Sequence, residues 1–271
     1  MLREITIGKY YPAQSVIHKL DPRVKLAGTV LYVISLFPYS TVEVYLIASL
    51  YLAVMITISR IPVRYMIQGL KPVIVLIAFT AICNLFLTPG MDAVLAVGSV
   101  RITRSGIKKA VFMVLRLMYL IIGSSLLTYT TTPNQLTDGI EKALKPLNRI
   151  KIPVHEFALM MSLALRFIPI LMDEAEKIIK AQSARGADFE EGGFVRKARN
   201  IISIIVPLLV SATRRAGDLA LAMDARCYHG GKNRTKLKPL TYSARDFAGY
   251  AIVVLYFILI IAAGHLNVVR V

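Results

Sequence analysis

EFALMMSLALRFIPILMDEAEKIIKAQSARG, residues 156–186, decides how this chain is read. It begins apolar, meets a proline at 169, turns charged and stops at Arg185-Gly186. Residues 201–227, IISIIVPLLVSATRRAGDLALAMDARC, follow the same plan, with Pro207 in the middle and a stop at Arg226-Cys227. A proline removes one helical N–H and crowds the preceding turn, so a kink or a break is expected at Pro169 and Pro207. After each proline the pattern is helical. Asp173/Lys177 and Glu176/Lys180 stand four apart with the acid first, the favourable order. Leu171, Ala175, Ile178 and Ala181 or Gln182 share the opposite stripe. In the second segment Ala212, Ala216, Ala220 and Met223 form a small-residue stripe, and Arg214 is placed to reach Asp218. Small residues let two helix backbones approach closely. Ala175, Ile178, Ala212, Ala216, Ala220 and Met223 are therefore expected to line a crossing of two amphipathic helices.

Each of these helices would deliver one arginine at its tip, in Ala184-Arg185-Gly186 and in Ala225-Arg226-Cys227. One such tip by itself means only a helix C-terminus, where arginine suits the macrodipole and glycine takes the left-handed conformation at little cost. Two of them, each closing a proline-interrupted amphipathic helix, point to a pair of rigid pegs. An arginine on such a peg has donors free for a partner's carboxylates or carbonyls.

The rest of the chain places these helices in a membrane setting. Of 271 residues, 56% are hydrophobic, and the mean hydropathy is +0.60. Soluble domains sit nearer 45–50% apolar. The formal net charge of +17 arises from 33 Lys+Arg against 16 Asp+Glu. The basic residues cluster between apolar runs, as in cytoplasmic loops of membrane proteins, and no basic–aromatic strip for nucleic acid is visible.

Predicted membrane helices are Lys25–Phe37, Thr41–Ile58, Pro72–Leu87, Ala110–Tyr129 and Phe247–Ala263, several of them short of the ~20 residues a straight span needs. Basic groups before the first, after the second and before the last span fall on one side if the amino terminus is cytoplasmic. Residues 93–104 alternate around Gly98-Ser99 like a hairpin with a two-residue turn. It is expected on the outer side, or on the inner side if the third segment is re-entrant. The domain organisation read this way is 1–130, N-terminal transmembrane helices; 131–240, a cytoplasmic region that holds the paired helices; and 241–271, a C-terminal transmembrane helix. The fold class is an all-α integral membrane protein of about five transmembrane helices, with crossed cytoplasmic amphipathic helices and a short external β-hairpin.

Catalytic patterns are weak. HGGKNRT (229–235) lacks the first glycine of a phosphate-binding loop. The acids at 173, 174 and 176, and at 188, 190 and 191, read as solvated helix faces. No Ser/His/Asp order or G-x-S-x-G stands out. Cys83 and Cys227, and His18, His155, His229 and His265, form no ligand spacing, so neither a metal nor a cofactor is expected. Inside the apolar runs only Arg116, Arg166 and Glu43 are ionisable, and the two arginines are expected to pair with carbonyls or acids of the bundle.

HKLDPRVKL (18–26), LTYTTTPNQLTDGIEKALKPL (127–147), HEFALMMSLALRFIPIL (155–171), AQSARGADF (181–189) and AMDARCYHGG (222–231) together resemble the T component of energy-coupling factor (ECF) transporters. The likeness covers nearly the whole chain in the family's order. It departs at Cys227, which stands where the family often has glycine. The resemblance implies a non-catalytic energy-coupling subunit of a prokaryotic ABC importer, in the cell membrane, with amino terminus and coupling region cytoplasmic. Its implied partners are two cytoplasmic ATPases, docked by Ala184, Arg185, Gly186 and by Ala225, Arg226, Cys227, and a membrane S component that binds a vitamin or metal ion. A conventional ABC importer permease with its own translocation path, and a membrane-embedded transferase, are the alternative readings.

Overall fold

The computed structural model describes residues 10–87, 93–97, 100–151, 153–187, 193–230 and 239–268. In order these form α1 (Pro22–Ser35), α2 (Val42–Ser59), α3 (Val63–Leu70), α4 (Ile74–Leu87), β1 (Ala93–Val97), β2 (Val100–Thr103), α5 (Arg104–Thr130), α6 (Pro133–Leu144), α7 (Val154–Ala184), α8 (Phe194–Ala225) and α9 (Ala244–Val268). The chain is an all-α integral membrane protein, with one hairpin among the described residues. β1 and β2 pair antiparallel with Val97 opposite Val100, as the alternation around residues 98–99 predicts.

Among the described residues, five helical stretches are long and apolar enough to cross a membrane: Val42–Ser59, Val63–Phe86, Arg104–Thr130, Val154–Ala184 and Ala244–His265. The number agrees with expectation, but the membership differs. α1 has 14 residues, about 21 Å of helix, against a hydrocarbon core of about 30 Å. Its place is taken by α7, whose first half is apolar enough although its second half is charged. The third stretch starts at Val63 instead of Pro72, because α3 and α4 run together through a 3-10 turn at Lys71–Val73. The polar face of α3 (Arg64, Gln68) hides that continuity in the sequence.

Contacts divide the described residues into two compact units, those within 140–239 and those within 10–139 and 240–268. In the latter, α1, α2, α5 and α9 surround a core of Tyr32, Leu36, Val44, Ala48, Leu52, Tyr256, Ile260 and Ala263. Tyr51 stacks on Tyr256 with centroids 4.2 Å apart and on Tyr32 at 5.7 Å. α5 approaches this stack at Gly123, where an added Cβ would run into the Tyr32 ring. Ile74, Val75, Phe79, Ile82 and Phe86 of α4 are exposed, as suits side chains that meet acyl chains instead of water. Arg116 is satisfied by hydroxyls: its Nε donates to the Tyr45 hydroxyl at 3.1 Å and its Nη2 to Ser40 at 2.9 Å. Arg166 is exposed.

The HKLDPRVKL segment is a clasp. Asp21 caps α1 by accepting from the Arg23 backbone N–H at 2.9 Å, with Pro22 at the first helical position, where a missing N–H costs nothing. The Asp21 backbone N–H donates to Asp246 Oδ1 of α9 at 2.7 Å. Arg23 donates from Nε and Nη2 to both Asp21 oxygens, at 3.0 and 2.9 Å, and its guanidinium lies 3.9 Å over the Tyr242 ring. Lys25 Nζ donates to the carbonyls of Thr130, at the end of α5, and His18, at 2.9 and 3.2 Å. One polar cluster thus ties together the ends of α1, α5 and α9, and each buried charge in it has partners.

Candidate functional site: the paired helix tips

α7 and α8 are continuous over 31 and 32 residues, with Pro169 and Pro207 inside them. The break considered at each proline does not occur, because one proline withdraws one hydrogen bond while the turns on either side keep theirs. The helices run antiparallel. Arg215 Nη2 donates to Glu174 Oε2 at 3.2 Å, while Gln182, further along α7, meets Ser203, further back on α8. At the far end Met160, Leu163, Phe167 and Leu171 face Ala212, Arg215, Ala216 and Leu219 across a cleft of 260 Å³.

On α7, Leu171, Ala175, Ile178 and Gln182 are half-buried and Ala181 is exposed. On α8, Ala212 and Met223 are half-buried, but Ala216 and Ala220 are exposed, and Arg215 and Leu219 take their turns in the seam. A four-residue step advances 40° beyond a full turn, so 212, 216 and 220 drift off the face that 212, 215, 219 and 223 hold. The Glu174–Arg215 ion pair was missed for a related reason. Glu174 reads as one of three solvated acids, and Arg214 draws attention as the local partner of Asp218. Only the interhelix register brings 174 and 215 together.

Both tips close in the same way. Arg185 is the C-cap of α7 at φ −88°, ψ 9°, and Arg226 is the C-cap of α8 at φ −95°, ψ 15°. The next residue is left-handed in each case, Gly186 at φ 87° and Cys227 at φ 55°. The Gly186 N–H donates to the Ser183 carbonyl and the Ala187 N–H to the Gln182 carbonyl, both at 3.0 Å. The Cys227 N–H donates to the Asp224 carbonyl at 2.9 Å and the Tyr228 N–H to the Met223 carbonyl at 3.0 Å. These are two full Schellman closures, which satisfy the last carbonyls of each helix and fix its end. Cysteine in place of glycine therefore leaves the cap geometry of the second tip unchanged. Ala184, Arg185, Gly186, Ala225, Arg226 and Cys227 are all exposed.

Because the helices are antiparallel, the two arginines lie at opposite ends of the pair. Arg185 is one turn from Gln182, which meets Ser203, and Ser203 and Arg226 are separated by about 34 Å of helix at 1.5 Å per residue. The site brings together the halves of each tip but holds the tips apart. Chemically each tip is a rigid cation on a capped helix end, suited to a pocket lined with acidic or carbonyl oxygens.

These features define a multi-pass helical membrane protein that carries a long antiparallel helix pair. Residues 13–237 match the family model described as Cobalt transport protein (CbiQ). Among similar proteins, the energy-coupling factor transporter transmembrane protein EcfT of Clostridium kluyveri is 50% identical over 248 residues, 91% of this chain and 92% of that one. EcfT of Heliobacterium modesticaldum is 47% identical over 260 residues, 96% of this chain and 97% of that one. EcfT of Bacillus subtilis is 42% identical over 246 residues, 91% of this chain and 93% of that one. The chain belongs to this EcfT family, the transmembrane component of energy-coupling factor transporters.

Proposed function

We propose that this subunit docks two cytoplasmic ABC ATPases, one through Ala184-Arg185-Gly186 and one through Ala225-Arg226-Cys227. It passes their ATP-driven motion to a membrane S component that binds the transported vitamin or metal ion. In this reading the amino terminus and residues 131–240 face the cytoplasm. α7, although its first half is apolar enough to cross a membrane, then lies with α8 along the inner surface, and Ala175, Ile178, Ala212, Ala216, Ala220 and Met223 stand at or beside the helix crossing. One observation carries the reading: two caps of matching geometry, each presenting an exposed arginine, stand about 34 Å of helix apart. Two grips that far apart suit one partner at each end of the helix pair. Each tip follows its partner as a rigid body, because the Schellman closure leaves no loose turn between the docked residue and the helix. Transmission requires contacts that differ between the nucleotide states, and two separated grips supply that difference when the partners approach or part.

The test is co-purification of the chain from its native membrane with Arg185→Ala, Arg226→Ala and both together. Each single change is expected to lower recovery of the ATPases, and the double change to abolish both recovery and ATP-driven uptake. Full recovery and uptake in the double variant would overturn the docking role.

A further inference from the structure

Gln182 occupies an unusual crossroads. Its backbone carbonyl accepts both the Arg185 and the Ala187 N–H at 3.0 Å, so the closure of the first tip rests on it. Its side chain leaves α7 and donates from Nε2 to the Ser203 carbonyl of α8 at 3.4 Å. Ser203 lies four residues before Pro207, which is inside α8. In an α-helix that carbonyl receives the N–H of the residue four places on, and proline has none to give. The Ser203 hydroxyl does not compensate, as it donates to the Asn200 carbonyl at 2.6 Å. The two residues sit on the face turned to α7: Ser203 and Pro207 are half-buried, whereas Ile201, Ile202, Ile205 and Val206 are exposed.

We propose that Gln182 is a positioning residue that supplies the donor missing at Pro207 and so latches the first tip to the middle of α8. This rests on the reading of the tips as docking points. The proline makes a receptor site for the amide, and the amide makes displacement of the Arg185 end pull on α8, hence on the Arg226 end. At 3.4 Å the bond is longer than the usual 2.7–3.2 Å, which suits a contact that opens and re-forms as the tips move. The role of Pro207 in this scheme is to free an acceptor for the neighbouring helix.

The latch is tested in the assembled transporter, the chain with its ATPases and membrane partner, carrying nitroxides at exposed Lys180 and Leu221. Their separation along the pair is roughly 25 Å, within range of pulsed electron–electron distance measurement. Gln182→Leu is expected to raise the ratio of a broader distance population to the single wild-type one by about 3- to 10-fold, the effect of one hydrogen bond. Pro207→Ala supplies an N–H at 207 to the Ser203 carbonyl and takes that acceptor from Gln182, so this single change is expected to broaden the distribution as Gln182→Leu does, and the double variant to broaden it no further. General loosening of α7 by the leucine gives additive broadening instead. If Gln182→Leu prevents assembly, Pro207→Ala decides: a broadened distance supports the latch, and the wild-type distance overturns it. An unchanged distribution in either single variant, or additive broadening in the double variant, also overturns it. Such an outcome leaves the docking reading standing, since that is judged by ATPase recovery in the arginine variants.

Discussion

The two tips share a closure but not a residue at its left-handed position, and this makes opposite predictions for the two. Gly186 sits at φ 87°, well beyond the left-handed minimum near φ +57°. A Cβ added there meets nothing within 4 Å, so the whole penalty of Gly186→Ala is backbone conformation. For an L-residue that penalty is roughly 1–2 kcal/mol, and the distance of 87° from the minimum places it at the upper end. Cys227, at φ 55°, already occupies the minimum. Changing it to glycine relieves about 1 kcal/mol of strain and returns 0.4–1 kcal/mol through the greater freedom of the unfolded chain, for a net change near zero. Hydrogen exchange of the amides that close each cap reads these numbers locally, at Ala187 for the first tip and Tyr228 for the second. Gly186→Ala should speed exchange at Ala187 by about 5- to 30-fold, at 1.4 kcal/mol per tenfold. Cys227→Gly should leave Tyr228 within about threefold of wild type by the same conversion. Equal effects at the two tips, or no effect of Gly186→Ala, would refute the account of how the helices end.

Three further outcomes are expected. Ala184→Leu or Ala225→Leu, on exposed surface, should leave the fold unchanged within about 0.5 kcal/mol yet reduce ATPase recovery through the close fit proposed at each tip; unchanged pull-down argues against that fit. Gly123→Ala should destabilise the membrane unit by about 1–3 kcal/mol, because its methyl group drives into the buried Tyr32 ring and disturbs the three-tyrosine stack; thermal unfolding in lipid reports it. His18, whose Nδ1 pairs with the Ser15 hydroxyl and whose Nε2 donates to the Tyr11 carbonyl, is held below the usual histidine pKa by burial, with Lys25 adding to the depression and the bond to Tyr11 opposing it. The folded state then binds fewer protons than the unfolded one, so the contribution is whole above the unfolded pKa of about 6.5 and declines as pH falls through it. Melting temperature should therefore drop on acidification, and His18→Gln should flatten that slope.

Periodicity and charge placement made much of this molecule legible before any coordinates. α2, α5 and α9, the hairpin and the α7 face of the helix pair follow from local pattern, because each is set by what neighbouring residues do. What escaped depends on distant partners. The third span was cut short at Pro72 because Arg64, Gln68 and Lys71 look like a loop. The proline signals at 169 and 207 suggested an interruption that the continuous helices do not contain. Lys25 reads as one more loop charge, yet it is 8% exposed and holds the end of α5, over a hundred residues away. The identical closure of the two tips was half visible: glycine announces a left-handed residue at 186, whereas nothing in the alphabet announces one at Cys227.

The clasp between Asp21 and Asp246 joins residues 225 positions apart, and this orders events during synthesis. Lys25 can meet Thr130 once α5 has emerged, but the Asp21 N–H and the Arg23 guanidinium wait for Asp246 and Tyr242. The membrane unit is therefore completed by its last helix. By then the α7–α8 pair, the part proposed to meet the ATPases, has already left the ribosome and is free to fold ahead of the bundle that carries it. A chain truncated before residue 240 and released from the ribosome should hold the two arginine tips without a finished anchor.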